Sequence, residues 1–263
     1  MQTVPDELVA LAHRLAEAAG AVQRRYFRTP VAVDSKSDDS PVTIADREAE
    51  AAMRELIARH FPDHGVLGEE HGSDRLDAEF VWVLDPIDGT KAFITGRPQF
   101  GTLIALCHGG RPVLGVIDQT ITGERWVGRA GAPSTMNGAA IATRPCSDPA
   151  RAVLCATSPY MFAEGDERAA FERLARQVRM PLFGGDCYAY GLLAMGFVDL
   201  VVEAGLGVYD YMALVPVIEG AGGRITDWEG RPPGFGSDGR VVAAGDGRTH
   251  EAVLRLLGEK TAS

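Results

Sequence analysis

The sequence predicts an α/β protein built in two halves: an α+β half over residues 1–145 and an α/β half over residues 146–263. Three observations carry this reading. Two helical patterns open the chain and lead into a series of apolar strand segments, whereas short strand and helix signals alternate in the second half. Between them, Arg144-Pro145-Cys146-Ser147-Asp148-Pro149 joins polar residues to two prolines, the composition of a boundary. With 263 residues, 46% of them hydrophobic, the chain can bury a substantial core.

Residues Pro5 to Phe27 place Leu8, Leu11, Leu15, Ala18, Ala19 and Val22 on one side of a helix, with the small residues favouring close packing. The acidic, serine-rich stretch Asp34 to Ser40 reads as an exposed loop. Thr43 is suited to cap a second helix, Ile44 to Phe61, with Asp46 in its first turn. His64 to Leu67 is a short apolar segment that can end as a strand at Gly68-Glu69-Glu70. Strands follow at Phe80–Leu84, Gly101–Leu106 and Pro112–Asp118, the last two joined through Cys107 to Arg111 as a hairpin, and Glu124–Gly128 continues the sheet. In the second half, strand signals lie at Ala152–Ala156, Asp199–Val202, Arg224–Asp227 and Val241–Ala244. Helical ones lie at Asp166–Gln177, Tyr188–Met195, Tyr211–Ala221 and Thr249–Leu257. There is no internal repeat or low-complexity tract.

The formal net charge is −10 and the pI about 5.1, which speaks against a nucleic-acid binder that depends on clustered Lys and Arg. A negative surface also does not attract a phosphate ester unless bound divalent cations reverse the local field. Cys107, Cys146, Cys155 and Cys187 are far apart, with no Cys-x-x-Cys pair. Reduced, mostly buried thiols are expected, with Cys187 the one near the presumed site and accessible. The N-terminal residues carry no basic-then-apolar leader pattern and no segment has the length of a membrane span, so the cytoplasm is the expected location.

Chemistry concentrates at Asp85-Pro86-Ile87-Asp88-Gly89-Thr90, directly after the apolar run Phe80 to Leu84. Asp85 and Asp88 on a turn can face a common centre, and hard oxygen ligands of this kind suit Mg2+ or Mn2+. Gly89 lets the backbone approach a ligand closely, so its amide and that of Thr90 can hold a phosphate oxygen. Asp-Pro and Asp-Gly are also ordinary turn dipeptides. Two further acidic elements decide against a mere turn: Glu69 after a short strand, and Asp210 at the start of the apolar stretch Tyr211 to Ala221.

These elements resemble the inositol monophosphatase-like, Mg2+-dependent phosphomonoesterases. The resemblance covers Lys36, Pro41-Val42-Thr43 and Asp46, then Gly68-Glu69-Glu70, Asp85 to Thr90, Tyr209-Asp210 and Glu219-Gly220-Ala221-Gly222-Gly223, in family order. The wording of Trp82 to Gly96, Gly101 to Leu106, Gly115 to Gln119 and Gly184 to Tyr190 is most similar to the histidinol-phosphate phosphatase branch.

The resemblance implies a layered αβαβα sandwich with the site where the halves meet. It implies that Glu69, Asp85 and the Ile87 carbonyl hold a first Mg2+, which activates water, and that Asp85, Asp88 and Asp210 hold a second facing the leaving oxygen. Thr90 and Asp46 are then a proton relay beside Glu69; Asp46 alternatively complements its helix dipole or holds a weaker third ion. Substrate is expected to meet Asp88, Gly89, Thr90, Asp186, Glu203 and Asp210. Asp186 and Glu203 would face the cationic end of L-histidinol phosphate, with Asp186 also able to cap the following helix. Inositol 1-phosphate is the alternative substrate, and a protein-binding regulator on the same fold a third reading. A homodimer is implied as well. Glu70 is expected to point away from Glu69 if the segment is extended, Lys36 to be a solvated charge near a site loop, and His71 a surface residue.

Overall fold

The computed structural model describes residues 4–30, 32–35 and 41–259. The first half contains α1 (Asp6–Tyr26), a small hairpin of β1 (Val33–Ser35) and β2 (Pro41–Thr43), α2 (Ile44–His60), β3 (Gly65–Gly68), β4 (Gly72–Asp74), β5 (Phe80–Asp88), the short α3 (Thr90–Ile94), β6 (Gly101–His108), β7 (Arg111–Gln119), β8 (Glu124–Arg129), β9 (Thr135–Met136) and β10 (Ala139–Ala140). The second contains β11 (Val153–Ala156), α4 (Asp166–Gln177), β12 (Met180–Phe183), α5 (Asp186–Ala194), β13 (Leu200–Glu203), α6 (Val208–Tyr211), α7 (Leu214–Gly220), β14 (Arg224–Thr226), β15 (Val241–Ala244) and α8 (Gly247–Gly258). One sheet has the order β10-β9-β8-β7-β6-β5-β3-β4 and the other β12-β11-β13-β15-β14.

Strand alternation builds five layers. On the first sheet Trp82, Leu84, Ile104, Leu106, Leu114 and Val116 face α1 and α2, meeting Leu8, Leu11, Leu15, Met53 and Ile57. Their neighbours Val81, Val83, Leu103, Ala105 and Ile117 face the opposite way, onto α5 and α7. The second sheet repeats the pattern: Val201, Val241 and Ala243 close the same central core, while Leu200, Val202, Val242 and Ala244 face Phe171, Leu174, Val253 and Leu257 of α4 and α8. Period-2 side chains on two sheets thus require three helical layers. The two halves share the middle one.

Close approach of that middle layer depends on missing side chains. A Cβ at Gly115 would stand 1.9 Å from the Ala213 carbonyl oxygen, and one at Gly128 2.2 Å from that of Pro216. Glycine in these strands lets the α7 segment lie directly on the sheet.

Several expectations are refined. Thr43 caps α2, its hydroxyl accepting from the Ala45 amide at 3.1 Å, and Asp46 completes a capping box with the Thr43 amide. Asp34 and Ser35 lie in β1, paired with Val42 and Pro41, rather than in a loop; residues 36–40, Lys36 among them, lie outside the described residues. Ala12 and Ala16 join the buried face of α1, whereas Ala18 is only partly buried. The helix expected over Tyr211–Ala221 is two, α6 and α7. Pro216 has no N–H to give a carbonyl four residues earlier, but is tolerated in the first turn of α7, where no such bond is needed. All four cysteines are free thiols, and Cys187 is buried rather than accessible. Among the described residues no helix is long and apolar enough to cross a membrane.

Because the obstacle at Gly128 is backbone rather than a movable side chain, Gly128→Ala should destabilise the fold by about 1–3 kcal/mol, the usual cost of overpacking. A lowered urea midpoint is the expected result, and an unchanged one would show that α7 can shift freely.

Candidate active site

The site begins at the end of β5, where the ladder to β6 slips: Asp85 pairs with Leu103 but Asp88 with Gly101, so β5 holds one extra residue. Such a bulge redirects side chains at a strand end. Asp85, 1% exposed, accepts the Ile87 amide at 2.9 Å. The Ile87 side chain is buried in a small apolar cluster with Ala45, Phe93 and Phe100, which anchors the turn. Behind it, Gln23 Nε2 from α1 and the Thr102 hydroxyl both donate to the Pro86 carbonyl, at 2.7 and 3.0 Å. Gly89 then takes φ +87°, a left-handed conformation that favours glycine, and starts α3.

The second half contributes from two places. The Asp88 carboxylate accepts the Cys187 amide at 2.5 Å, in the first turn of α5, and Asp210 accepts the Gly207 amide at 2.7 Å at the start of α6. One carboxylate oxygen from each of Asp85, Asp88 and Asp210 falls within 4.8 Å of the other two. Glu69, in the turn between β3 and β4, has its carboxyl close enough to Asp85 to help raise the Asp85 pKa, and its amide donates to the Leu84 carbonyl at 3.1 Å.

This constellation has counterparts among known proteins. The profile of the inositol monophosphatase family matches residues 4–262. The chain belongs to the inositol monophosphatase family. It is 51% identical over 261 residues to the chloroplastic bifunctional phosphatase IMPL2 of Arabidopsis thaliana, covering 96% of this chain and 75% of that one. It is 35% identical over 240 residues to a histidinol-phosphatase of Chlorobaculum parvum, covering 91% and 92%. Among solved structures, an inositol monophosphatase from Zymomonas mobilis superposes with a TM-score of 0.90 at 48% identity, covering 98% of this chain and all (100%) of that one. The layered α/β fold is that of the family, and the protein is a phosphatase acting on phosphate monoesters.

Members of this family depend on a metal, typically Mg2+, and the residues present fit one. Burial is the main cause that pushes the Asp85 carboxyl well above its ordinary range, with the Glu69, Asp88 and Asp210 charges adding to it. Burial likewise raises Asp210 to about 7, aided by Glu69, and Asp88 to about 8, aided by Asp210. Among the described residues no Lys or Arg forms an ion pair with any of these three aspartates. A cluster of buried carboxylates facing one another is a poor resting arrangement for protons alone and a natural one for hard divalent cations.

The remaining predicted residues fall in several places. Thr90 donates its hydroxyl to the Ile87 carbonyl at 3.1 Å, not to Asp46, so the expected relay is not formed. Asp46 instead uses Oδ2 for the Thr43 amide and hydroxyl, at 2.8 and 2.6 Å, while its buried Oδ1 has no hydrogen-bond partner. Burial raises its pKa to about 6, Glu70 and Glu69 adding to this despite the Thr43 bonds. Asp186 does not cap α5: it is the helix's first residue, at φ +44°, and Asp88 accepts the amide a cap would take. Its side chain does reach the site, with Cγ 3.0 Å from where a Cβ on Gly89 would stand.

Glu203 is buried, with the Thr157 amide on one oxygen at 2.8 Å and the Tyr190 hydroxyl on the other at 2.9 Å. Glu70 does not follow strand alternation, because residues 69 and 70 turn between β3 and β4. His71 is exposed, with its ring Nε2 3.0 Å from the Arg47 carbonyl. Sequence reasoning missed Gln23, Glu50 and Tyr190. No local motif marks them, since each acts on a residue distant in the chain.

The raised carboxyl pKa values set a pH dependence for the metal-free protein. Asp88, Asp186 and Asp210 have an ordinary value of 3.8 and are lifted to about 8, 8 and 7. The folded state therefore binds more protons than the unfolded one between these limits. The stability they lend is complete below about pH 4 and is lost as pH rises through 7 to 8. Metal-stripped protein should melt lower at pH 8 than at pH 6, and added Mg2+ should raise the melting temperature more at pH 8. A melting temperature insensitive to both would contradict the clustering of these acids.

Proposed function

We propose that this phosphatase hydrolyses L-histidinol phosphate to L-histidinol and phosphate, using Mg2+ and water. The observation that carries the substrate reading is Asp186, a half-buried carboxylate set beside Gly89 and Asp88 at the edge of the acidic centre. L-histidinol phosphate bears an ammonium group and a titratable imidazole, and such a cation would favour the ionised form of Asp186, whose pKa burial and Asp88 otherwise raise to about 8. Glu203, whose two oxygens are already hydrogen-bonded, supplies negative charge from behind rather than a direct contact. The likeness to a histidinol-phosphatase supports the same reading.

Glu69, Asp85 and the Ile87 carbonyl would hold one Mg2+ and Asp85, Asp88 and Asp210 another; the orphaned Oδ1 of Asp46 is available to a third, and Mn2+ is a suitable substitute. Such ions, when bound, supply the charge that lowers the pKa of a water and neutralises the phosphate oxygens. The chain's own groups do the rest. The Thr90 hydroxyl, while donating to Ile87, keeps lone pairs to orient the attacking water, and Glu69 takes its proton. The amides of Gly89 and Thr90 hold a phosphate oxygen. Inositol 1-phosphate is the second reading, favoured by the likeness to the Zymomonas mobilis enzyme.

Comparison of kcat/KM for L-histidinol phosphate and inositol 1-phosphate tests the assignment, and a clear preference for the latter would overturn it. Asp186→Asn should lower kcat/KM on L-histidinol phosphate roughly ten- to a hundredfold, the loss of a charge-assisted bond of about 1.5–3 kcal/mol, with much less effect on p-nitrophenyl phosphate. Equal losses on both would place Asp186 with the phosphate instead. Thr90→Ala should mainly reduce kcat, with Thr90→Ser retaining much more; normal turnover in the alanine variant would leave Thr90 a turn residue.

A further inference from the structure

Helix α2 carries a polar rail that the chemistry above leaves unused. Glu50 and Arg54 are four residues apart, so they share one helix face, and both side chains reach the turn from Gly68 to Gly72, where the Arg47 backbone carbonyl also meets the His71 ring. Glu50 is the centre of the rail. Its side chain is fully buried, 0% exposed. Oε2 accepts the Glu70 amide at 2.7 Å; Oε1 accepts the His71 amide at 3.2 Å and the Arg54 Nε at 2.6 Å. Arg54 reaches on to donate to the Gly72 carbonyl.

The turn is shaped around this carboxylate. A Cβ at Gly68 would stand 2.0 Å from Glu50 Oε1 and 2.3 Å from its Cδ, so the space beside Gly68 is occupied by the glutamate. The result is a clamp on both sides of Glu69. Its own amide is held by the Leu84 carbonyl of β5, and the next amide, that of Glu70, is held by Glu50. With the peptide groups before and after its Cα pinned, the Cα–Cβ bond of Glu69 has a fixed direction, from which its carboxyl comes close enough to Asp85 to raise the Asp85 pKa.

A buried ion pair is weak ground for stability, because removing two charges from water costs about as much as their attraction returns. The position of this one is better explained by the geometry it enforces. We propose that Glu50, seconded by Arg54, is a positioning residue that sets the Glu69 carboxylate against Asp85 and so determines how tightly the ion shared by those two is held. This rests on Glu69 being a metal ligand.

The test titrates Mg2+ calorimetrically into the metal-stripped full chain and, separately, measures hydrolysis of p-nitrophenyl phosphate against Mg2+ concentration. Glu50→Gln should weaken the tightest Mg2+ binding by about ten- to a hundredfold, the usual effect of removing a group that orients a ligand. The Mg2+ needed for half-maximal rate should rise in parallel, and saturating Mg2+ should restore much of kcat. Gly68→Ala, which displaces the Glu50 carboxylate, should do the same. Glu69→Gln is measured alongside and should lose the tight binding event.

Wild-type Mg2+ affinity in a folded Glu50→Gln protein, with affinity lost in Glu69→Gln, overturns the positioning role and leaves Glu69 a ligand. Wild-type affinity in Glu69→Gln overturns the ligand assignment and the positioning role with it. If Glu50→Gln does not fold, Arg54→Met, at a partly exposed side chain, carries the test. A weaker Mg2+ affinity in that variant supports the proposal and an unchanged one overturns it.

Discussion

The constraint on which the structure turns is the gathering of like charges out of water. Asp85, Asp88 and Asp210 approach within a few ångströms, with Glu69 against Asp85, in a place where burial already disfavours their charged forms. Nothing in the chain's own attraction would assemble them. They are held by backbone amides, one from each of three segments: Ile87 in the turn itself, Cys187 in α5 and Gly207 before α6. A carboxylate fixed through one oxygen retains a second with which to serve an ion.

Those amides stay in place only because the layers do. The α5 and α7 segments belong to the second half of the chain yet share a core with the first sheet. Gly115 and Gly128 permit the contact, and Gly191 does so within α5, where a Cβ would meet the Trp126 ring at 2.7 Å. On the opposite side of the sheet, Gln23 of α1 secures Pro86 and Glu50 of α2 secures the Glu70 amide. The charge cluster is thus supported from both faces by side chains and amides that make no chemistry themselves.

Much of this was readable in the chain. The apolar run Phe80 to Leu84, the Thr43 cap and the run Asp85 to Thr90 each encode their structure within a few neighbouring residues. The acids Glu69 and Asp210 were identified through their surroundings and a family likeness. What escaped were relations between distant segments. Gln23 and Pro86 are 63 residues apart, and Glu50 and Glu70 are 20 apart. Asp186 is the first residue of α5 rather than its cap, and the amide of Cys187 goes instead to Asp88, 99 residues away. Thr90 donates to an acceptor three residues back, at Ile87, rather than to Asp46. Local rules predict what a residue can do; packing decides which of the available partners it meets.

The bond between Asp88 and the α5 amide has a consequence for how the enzyme reads its ligand. Asp88 belongs to the acidic centre and Asp186 is the first residue of α5, so one short contact joins the acidic centre to the peptide that follows Asp186. Were an ion to draw on the Asp88 carboxylate and a substrate to engage Asp186, as proposed, both would act on the same peptide, and any coupling between them would be reciprocal: whatever factor the ion lent to substrate binding, the substrate would return to the ion.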